Sequence, residues 1–345
     1  MARIALDAMG GDFAPRAPLS GALQALRESD SDLAIQLVGR TGTISAELDS
    51  LLKGELAADA KQRDRIEIVE APEVIEMSDK PSAVVRGKPN NSMSIGLKLQ
   101  LESRSDAFVS AGNTGAQMAA SAMLLKLHPG LTRPAIATAF PTRRQPVVVL
   151  DAGANVDCSA RELLQFAWLG AVYAECVLGR SNPAVGLLSI GEEAEKGNAV
   201  VKEANAAFAT AGFNFVGNVE GRDIPHGECA RGPIDVVVCD GFVGNVVLKF
   251  YEGVMPMVLE VLQQHGIDRS QLKDVIRTFD ASEYGGAPLL GVRGISMICH
   301  GNSTPRAIAN AVKAAARAAD SGMNALIGER LTSMANAALA AGSVA

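Results

Sequence analysis

Short β-branched runs punctuate the chain and mostly stop at Gly, Asp or Asn: RIALD, LAIQLVG, RIEIVEAP, DAFVSAGN, PAIATAF, PVVVLDAG, AVGLLSIG, FNFVGN, IDVVVCDG and GISMICHG. Between most of them lie stretches with helical spacing, at 18–28, 45–56, 114–127, 160–178, 199–211, 245–264 and 305–319. Strands alternating with helices predict an α/β fold with a largely parallel sheet. Runs as apolar as VVVL and VVVC suit strands covered on both faces. A chain of 345 residues, 48% hydrophobic, can bury a large core, either as one α/β unit or as two interleaved lobes. The stretch 73–93 carries prolines and basic residues and reads as a long excursion with little sheet; 321–345 reads as an Ala-rich helix with a frayed end.

Charge and composition narrow the chemistry. The net charge is −6, which argues against nucleic acid as a partner, and 4% aromatics leave little for base stacking. The five cysteines are scattered, with no C-x-x-C pair, so neither a metal centre nor a disulfide framework is expected and a reducing cytosol fits. MARIALDAMGGD has no long apolar core, so no secretory leader is expected, and no stretch reads as a membrane span of ~20 apolar residues.

In open α/β sheets ligands bind beyond the carboxyl ends of the strands. The loops there are DAMGGDFAP, SAGNTGA, DAGANVD, SIGEEAEKGN, CDGFVGNVVLK and CHGNSTP. Gly-Asn recurs at Gly112-Asn113, Gly197-Asn198, Gly244-Asn245 and Gly301-Asn302. Singly each pair is a turn or helix cap; together they point to a shared anion site at helix N-termini. Lys196 supplies a cation in one such loop, whereas Lys249 reads as a solvated helix residue. His300 is a candidate anion or acid–base group. The full G-x-G-x-x-G, the Walker lysine and the G-x-S-x-G elbow are all missing, and Cys158 and Cys239 have apolar neighbours that predict inert thiols.

IALDAMGGDFAP, SAGNTGA, LDAGANVD, GLLSIGEEAEKGN, CDGFVGNVVLK, SEYGGAPLLG and HGNS, in that order, resemble the signature stretches of the PlsX family, the acyl-[acyl carrier protein]:phosphate acyltransferases of bacterial phospholipid synthesis. The resemblance runs from residue 3 to about 330 and leaves 331–345 as a C-terminal helix or tail. It implies one catalytic unit over 1–345 with two interleaved lobes, a two-lobed α/β/α sandwich similar to phosphate acetyltransferases and isocitrate/isopropylmalate dehydrogenases, and a homodimer without metal or cofactor. It further implies transfer of a long-chain acyl group from acyl carrier protein to inorganic phosphate in the cytoplasm, with a peripheral place at the inner membrane face and hand-off of the acyl phosphate to the membrane acyltransferase PlsY. By motif match, Lys196 and Asn245 are the catalytic pair. Gly10, Gly11, Gly112, Asn113, Thr114, Gly115, Asn198, Gly244 and His300 are expected to surround phosphate and thioester.

Asp7 and Asp12 are expected to be structural walls: Asp7 accepting hydrogen bonds at its strand end or orienting Lys196, Asp12 capping the following helix. Arg86, Lys88, Arg143 and Arg144 could meet an acidic carrier protein by charge complementarity. The interval 254–283 is shorter than the amphipathic arm of many relatives; its apolar stretch reads first as core or subunit interface. Two rival readings are a metal- and nicotinamide-dependent β-decarboxylating dehydrogenase, for which clustered acidic ligands are missing, and a non-catalytic acyl or carrier-protein sensor, which would be expected to lack Lys196 or Asn245.

Overall fold

A computed structural model describes residues 2–29, 32–81, 87–268, 272 and 281–342. The chain divides into two compact units, Met1–His128 with Tyr284–Asn324, and Pro129–Glu283 with Ala325–Ala345.

The first unit begins β1 (Ala2–Asp7), α1 (Arg16–Glu28), β2 (Leu33–Gly39), α2 (Thr41–Lys53), β3 (Ile66–Glu70), α3 (Ser92–Leu101), β4 (Ala107–Ser110) and α4 (Thr114–Leu124). In α1, Leu19, Leu23 and Leu26 recur at helical spacing and are fully buried, each burial stabilising by about 1.5–3 kcal/mol. β2 and β3 lie on one side of β1, and β4 lies on the other. The strand order therefore reverses between β1 and β4, where a ligand crevice is expected at the strand ends. α3 was not foreseen from sequence. It is capped by Asn91, whose Oδ1 accepts from Ser94 N at 2.8 Å.

The chain then builds the second unit: β5 (Ala135–Ile136), β6 (Thr138–Phe140), β7 (Val147–Leu150), α5 (Ala160–Cys176), β8 (Val185–Leu188), α6 (Ala199–Ala209), β9 (Phe215–Val219), β10 (Glu228–Cys229), β11 (Gly232–Pro233), β12 (Val236–Val238) and α7 (Gly241–Gln264). Its main sheet runs β6-β7-β12-β8-β9, parallel except for β6. α5 opens on a reciprocal cap: Ser159 Oγ accepts from Glu162 N at 3.3 Å, and Glu162 Oε2 accepts from Ser159 N at 2.8 Å. Phe140, Val147, Val149, Val219, Ile234 and Val237 form its core under β7 and β12.

The return to the first unit adds β13 (Ala287–Leu290), β14 (Ser296–Ile298) and α8 (Pro305–Asp320). β14 inserts beside β4 in parallel, and β13 closes on β14 antiparallel. α8 packs on α1 so closely that a Cβ on Gly21 would lie 2.8 Å from Ile308 Cβ. The last helix is α9 (Met323–Gly342). Residues 343–345 of the expected tail, like 269–271 and 273–280 of the interval 254–283, lie outside the described residues.

One expectation needs correction. α7 has 24 residues and a mean hydropathy of 1.3 over its apolar window, so by length and composition it matches a membrane span, with only 6% of that window buried. The strand-end motif at its start hid its continuity, because the helix begins at Gly241, not Asn245, and runs through Pro256. Val247, Leu248 and Tyr251 pack on the core of the second unit, and Tyr251 Oη donates to Pro141 O at 3.1 Å. The opposite face leaves Phe242, Val246 and Phe250 exposed.

Candidate active site

In the first unit, three neighbouring strands deliver three loops to one place. Asp7 ends β1 and is buried; Oδ1 accepts from Met9 N at 3.0 Å and Oδ2 from Ser110 Oγ at 2.7 Å. Ser110 Oγ in turn accepts from Gly112 N at 3.0 Å. Asp12 N donates to Gly301 O at 2.7 Å, tying the β1 loop to the β14 loop beside His300. Gly11 takes φ +104 at this crossing, and a Cβ there would lie 3.0 Å from the same carbonyl. A Cβ on Gly10 would meet Asp7 Oδ2 at 2.5 Å, so the corner has room only for backbone. The Asp7 carboxyl group is thus enclosed by donors at the end of β1. Asp12 does not cap α1: Pro15 holds that position with no side-chain cap, because the chain turns through Phe13 and Ala14 first.

Asn113 caps α4, Oδ1 accepting from Ala116 N at 2.9 Å, while its amide donates to Met77 O and Asp79 O at 3.0 Å each. Its polar atoms thus have protein partners, and the backbone N–H groups that open at this corner belong to the first turn of α4, where Thr114 is exposed. Pro81 lies over Gly115, its Cγ 2.9 Å from where a Cβ would sit.

Burial pushes the Asp7 carboxyl above its ordinary value, against the pull of hydrogen bonds from Ser92, Ser110, Met9 and Gly10. The group's contribution to stability is therefore complete below the unfolded value of 3.8 and is lost as pH rises through the native pKa. Asp7→Asn stays neutral throughout, so relative to the parent it should gain stability between about pH 4 and about pH 7 while keeping turnover. Urea melts at the two ends of that range test this; a flat difference would mean that the native carboxyl titrates as in the unfolded chain.

In the second unit the loops after β7, β8 and β12 carry the remaining candidates. Asp151, which sequence reading passed over, organises the first. Ile136, Gly153 and Ala154 N–H groups donate to Oδ1, and the Asn155 backbone and side chain donate to Oδ2 at 2.7 and 2.8 Å. The loop this shapes receives the start of α7. Asp240 caps that helix, accepting from Val243 N at 2.8 Å. Gly244 lies against the Asp151 carbonyl, and Asn245, exposed in the next position, reaches Gly153. Asn198 caps α6. So two of the four Gly-Asn steps place Asn at a cap, one lies inside a helix, and α8 takes Thr304 as its cap instead of Asn302.

Lys196 is exposed on the β8 loop and carries no ion pair among the described residues. Its stem crosses Gly191, whose Cβ position would lie 2.9 Å from Lys196 Cγ. A cavity of about 510 Å³ opens here, lined by Lys196, Arg222 and Arg231 and by Glu192, Glu193 and Glu220. Arg222 is paired with Glu220 and Arg231 donates to Val216 O at 3.2 Å, while Lys196 stands exposed at the rim. Lys249 pairs with Glu252 at 2.9 Å, as its surface position suggested. Of the basic loop residues, Lys88 is paired with Asp79 at 2.6 Å and Arg144 with Glu228 at 2.6 Å; Arg143 is exposed, and Arg86 lies outside the described residues.

Three of the five thiols, Cys158, Cys239 and Cys299, are unsuited to nucleophilic work. Burial pushes Cys158 up to about 12, with the nearby Asp151 charge adding to it, and raises Cys299 to about 12 and Cys239 well above the ordinary range. Iodoacetamide at about pH 8 should leave all three unmodified in the native protein. Rapid labelling of any of them, read by mass spectrometry, would contradict this assignment. Among the described residues no group of three or more His, Cys, Asp and Glu side chains could hold a metal ion.

The fold is shared with a phosphotransacetylase and a dehydrogenase of known structure. It resembles a phosphotransacetylase from Staphylococcus aureus with a TM-score of 0.61 at 16% identity, over 92% of this chain and 94% of the other. It also resembles the 4-hydroxythreonine-4-phosphate dehydrogenase of Klebsiella pneumoniae with a TM-score of 0.50 at 14% identity, over 92% and 98%. By architecture the chain is thus a phosphotransacetylase-type α/β protein. In sequence, residues 2–326 match the family model described as fatty acid synthesis protein. The phosphate acyltransferase of Desulforamulus reducens is 45% identical over 344 residues, 96% of this chain and 98% of that protein. The chain belongs to this PlsX family of phosphate acyltransferases and is an acyltransferase.

Proposed function

We propose that the protein transfers a long-chain acyl group from acyl carrier protein to inorganic phosphate, releasing acyl phosphate. The observation that carries this reading is the near full-length identity to a relative named phosphate acyltransferase. The suppressed thiols agree with it, since phosphate is then its own nucleophile. A phosphate oxygen attacks the thioester carbonyl carbon, the carbonyl oxygen becomes an oxyanion, and the C–S bond breaks as the intermediate collapses. The proton of monohydrogen phosphate leaves with the carrier thiolate. Lys196 offsets charge on phosphate or oxyanion, and Asn245 orients phosphate or polarises the carbonyl. Within the second unit Asn198 and Gly244 lie beside this pair in the chain; within the first unit the backbone amides of Gly112 to Gly115, with Gly10, Gly11 and His300, are read as phosphate- or thioester-binding groups, and positioning of the two substrates supplies much of the remaining acceleration.

The exposed apolar face of α7 supports a homodimer and a peripheral place at the cytoplasmic membrane surface, from which acyl phosphate would pass to a membrane acyltransferase. The deciding assay mixes long-chain acyl carrier protein with phosphate, follows free carrier thiol, and traps acyl phosphate with hydroxylamine. Thiol release that needs phosphate and yields hydroxamate is expected. Thiol release independent of phosphate would make the protein a thioesterase, and no release at all would leave a binding protein.

A further inference from the structure

The second unit buries a pair of asparagines that none of the chemistry above uses. β9 pairs with β8 in parallel, but the register slips after Val185: Phe215 faces Val185, and Gly217 faces Gly186. Gly217 takes φ +89 at the slip. A bulge of this kind adds one residue and re-aims the side chain that follows. That side chain is Asn218, 3% exposed. Its Oδ1 accepts from Nδ2 of Asn205, itself buried on α6, at 2.8 Å. Its Nδ2 donates to the carbonyl of Glu193 at 2.7 Å. The same carbonyl accepts the backbone N–H of Lys196 at 3.0 Å. One oxygen therefore joins a buried, fully oriented amide to the turn from which Lys196 projects.

A buried amide is costly to leave without its partners, so the pair resists rearrangement. The loop it holds is otherwise polar and exposed from Glu192 to Lys196. We propose that Asn218, locked by Asn205, is the positioning residue that fixes the direction in which Lys196 meets substrate. This rests on Lys196 acting in turnover, as read above.

The test is a double-mutant cycle in the acyl carrier protein and phosphate assay, with kcat and the KM for phosphate measured for Asn218→Ala, Lys196→Ala and the double variant. Asn218→Ala should lower kcat about ten- to hundredfold, the scale of a misplaced catalytic group. In the Lys196→Ala background the same change should cost less than about twofold, because nothing remains to be positioned. Equal losses in both backgrounds would assign Asn218 a purely structural role and overturn the proposal, as would an Asn218→Ala enzyme of full turnover. Should Asn218→Ala fail to melt cooperatively, Asn205→Ala takes its place in the cycle, since it frees the Asn218 amide without removing it. Full turnover of Lys196→Ala alone would instead remove the underlying reading, a result separable from an additive cycle.

Discussion

Lys196→Ala is expected to lower kcat about 10²–10³-fold, the usual effect of removing one group that stabilises a developing oxyanion. Its melting temperature should stay within about 1 °C of the parent, because the side chain is exposed and holds no ion pair among the described residues. How the loss divides says what the ammonium does. A fall in kcat at constant KM for phosphate places its interaction in the transition state; a rise in KM at constant kcat places it on ground-state phosphate. Unchanged acyl phosphate production would remove Lys196 from the mechanism. Lys196→Arg should restore little if the cavity rim demands a compact charge, since the guanidinium is planar and larger.

Gly244→Ala should produce the largest loss of stability. In most helix interiors this change stabilises by about 1 kcal/mol through propensity. Here the new Cβ would run into the Asp151 carbonyl oxygen, and would sit 3.0 Å from its carbon and 3.1 Å from Cys239 Sγ. The first two are backbone atoms of a loop already held by five hydrogen bonds to the Asp151 carboxylate, so they cannot swing aside as a flexible side chain would. Forced displacement costs about 3 kcal/mol or more and outweighs the propensity gain. Thermal melts should show a drop of several degrees, together with lost turnover, because Asn245 rides on the displaced turn. A melting temperature equal to or above that of the parent would show that α7 tolerates a wider separation from the β7 loop.

Strand and helix alternation was legible because parallel strands covered on both faces read as unbroken apolar runs, and the helices between them carry one buried stripe. α3 escaped because Ser92, Met93, Ser94, Gly96, Leu97 and Leu99 are all buried, which leaves almost no polar face to set a period. β13 escaped because APLL is short and pairs antiparallel at the far side of β14. The Gly-Asn motif misassigned one boundary: at α7 the cap is Asp240, three residues ahead of Val243, and the glycine serves close approach inside the helix. Asp151 and Asn218 were not singled out because their importance lies in which backbone groups they meet. Gly217-Asn218 was a further Gly-Asn step, read only as the end of a strand. The bulge that turns it inward depends on pairing with β8, which no local pattern encodes.

The discontinuous division of the chain bears on how it is made. β14 lies between β4 and β13, and α8 covers α1, yet all the C-terminal pieces of the first unit follow the second unit in the chain. On a ribosome adding ~5–20 residues per second, roughly ten to forty seconds pass between the emergence of β4 and that of the strand meant to pair with it. Throughout that interval the nascent first unit shows an open strand edge and the uncovered leucines of α1. The second unit, apart from α9, can meanwhile close on its own core. Completion of the first unit is therefore a late, long-range step, and a chain stalled near residue 283 should be the species that folding helpers and proteases in the cell engage first.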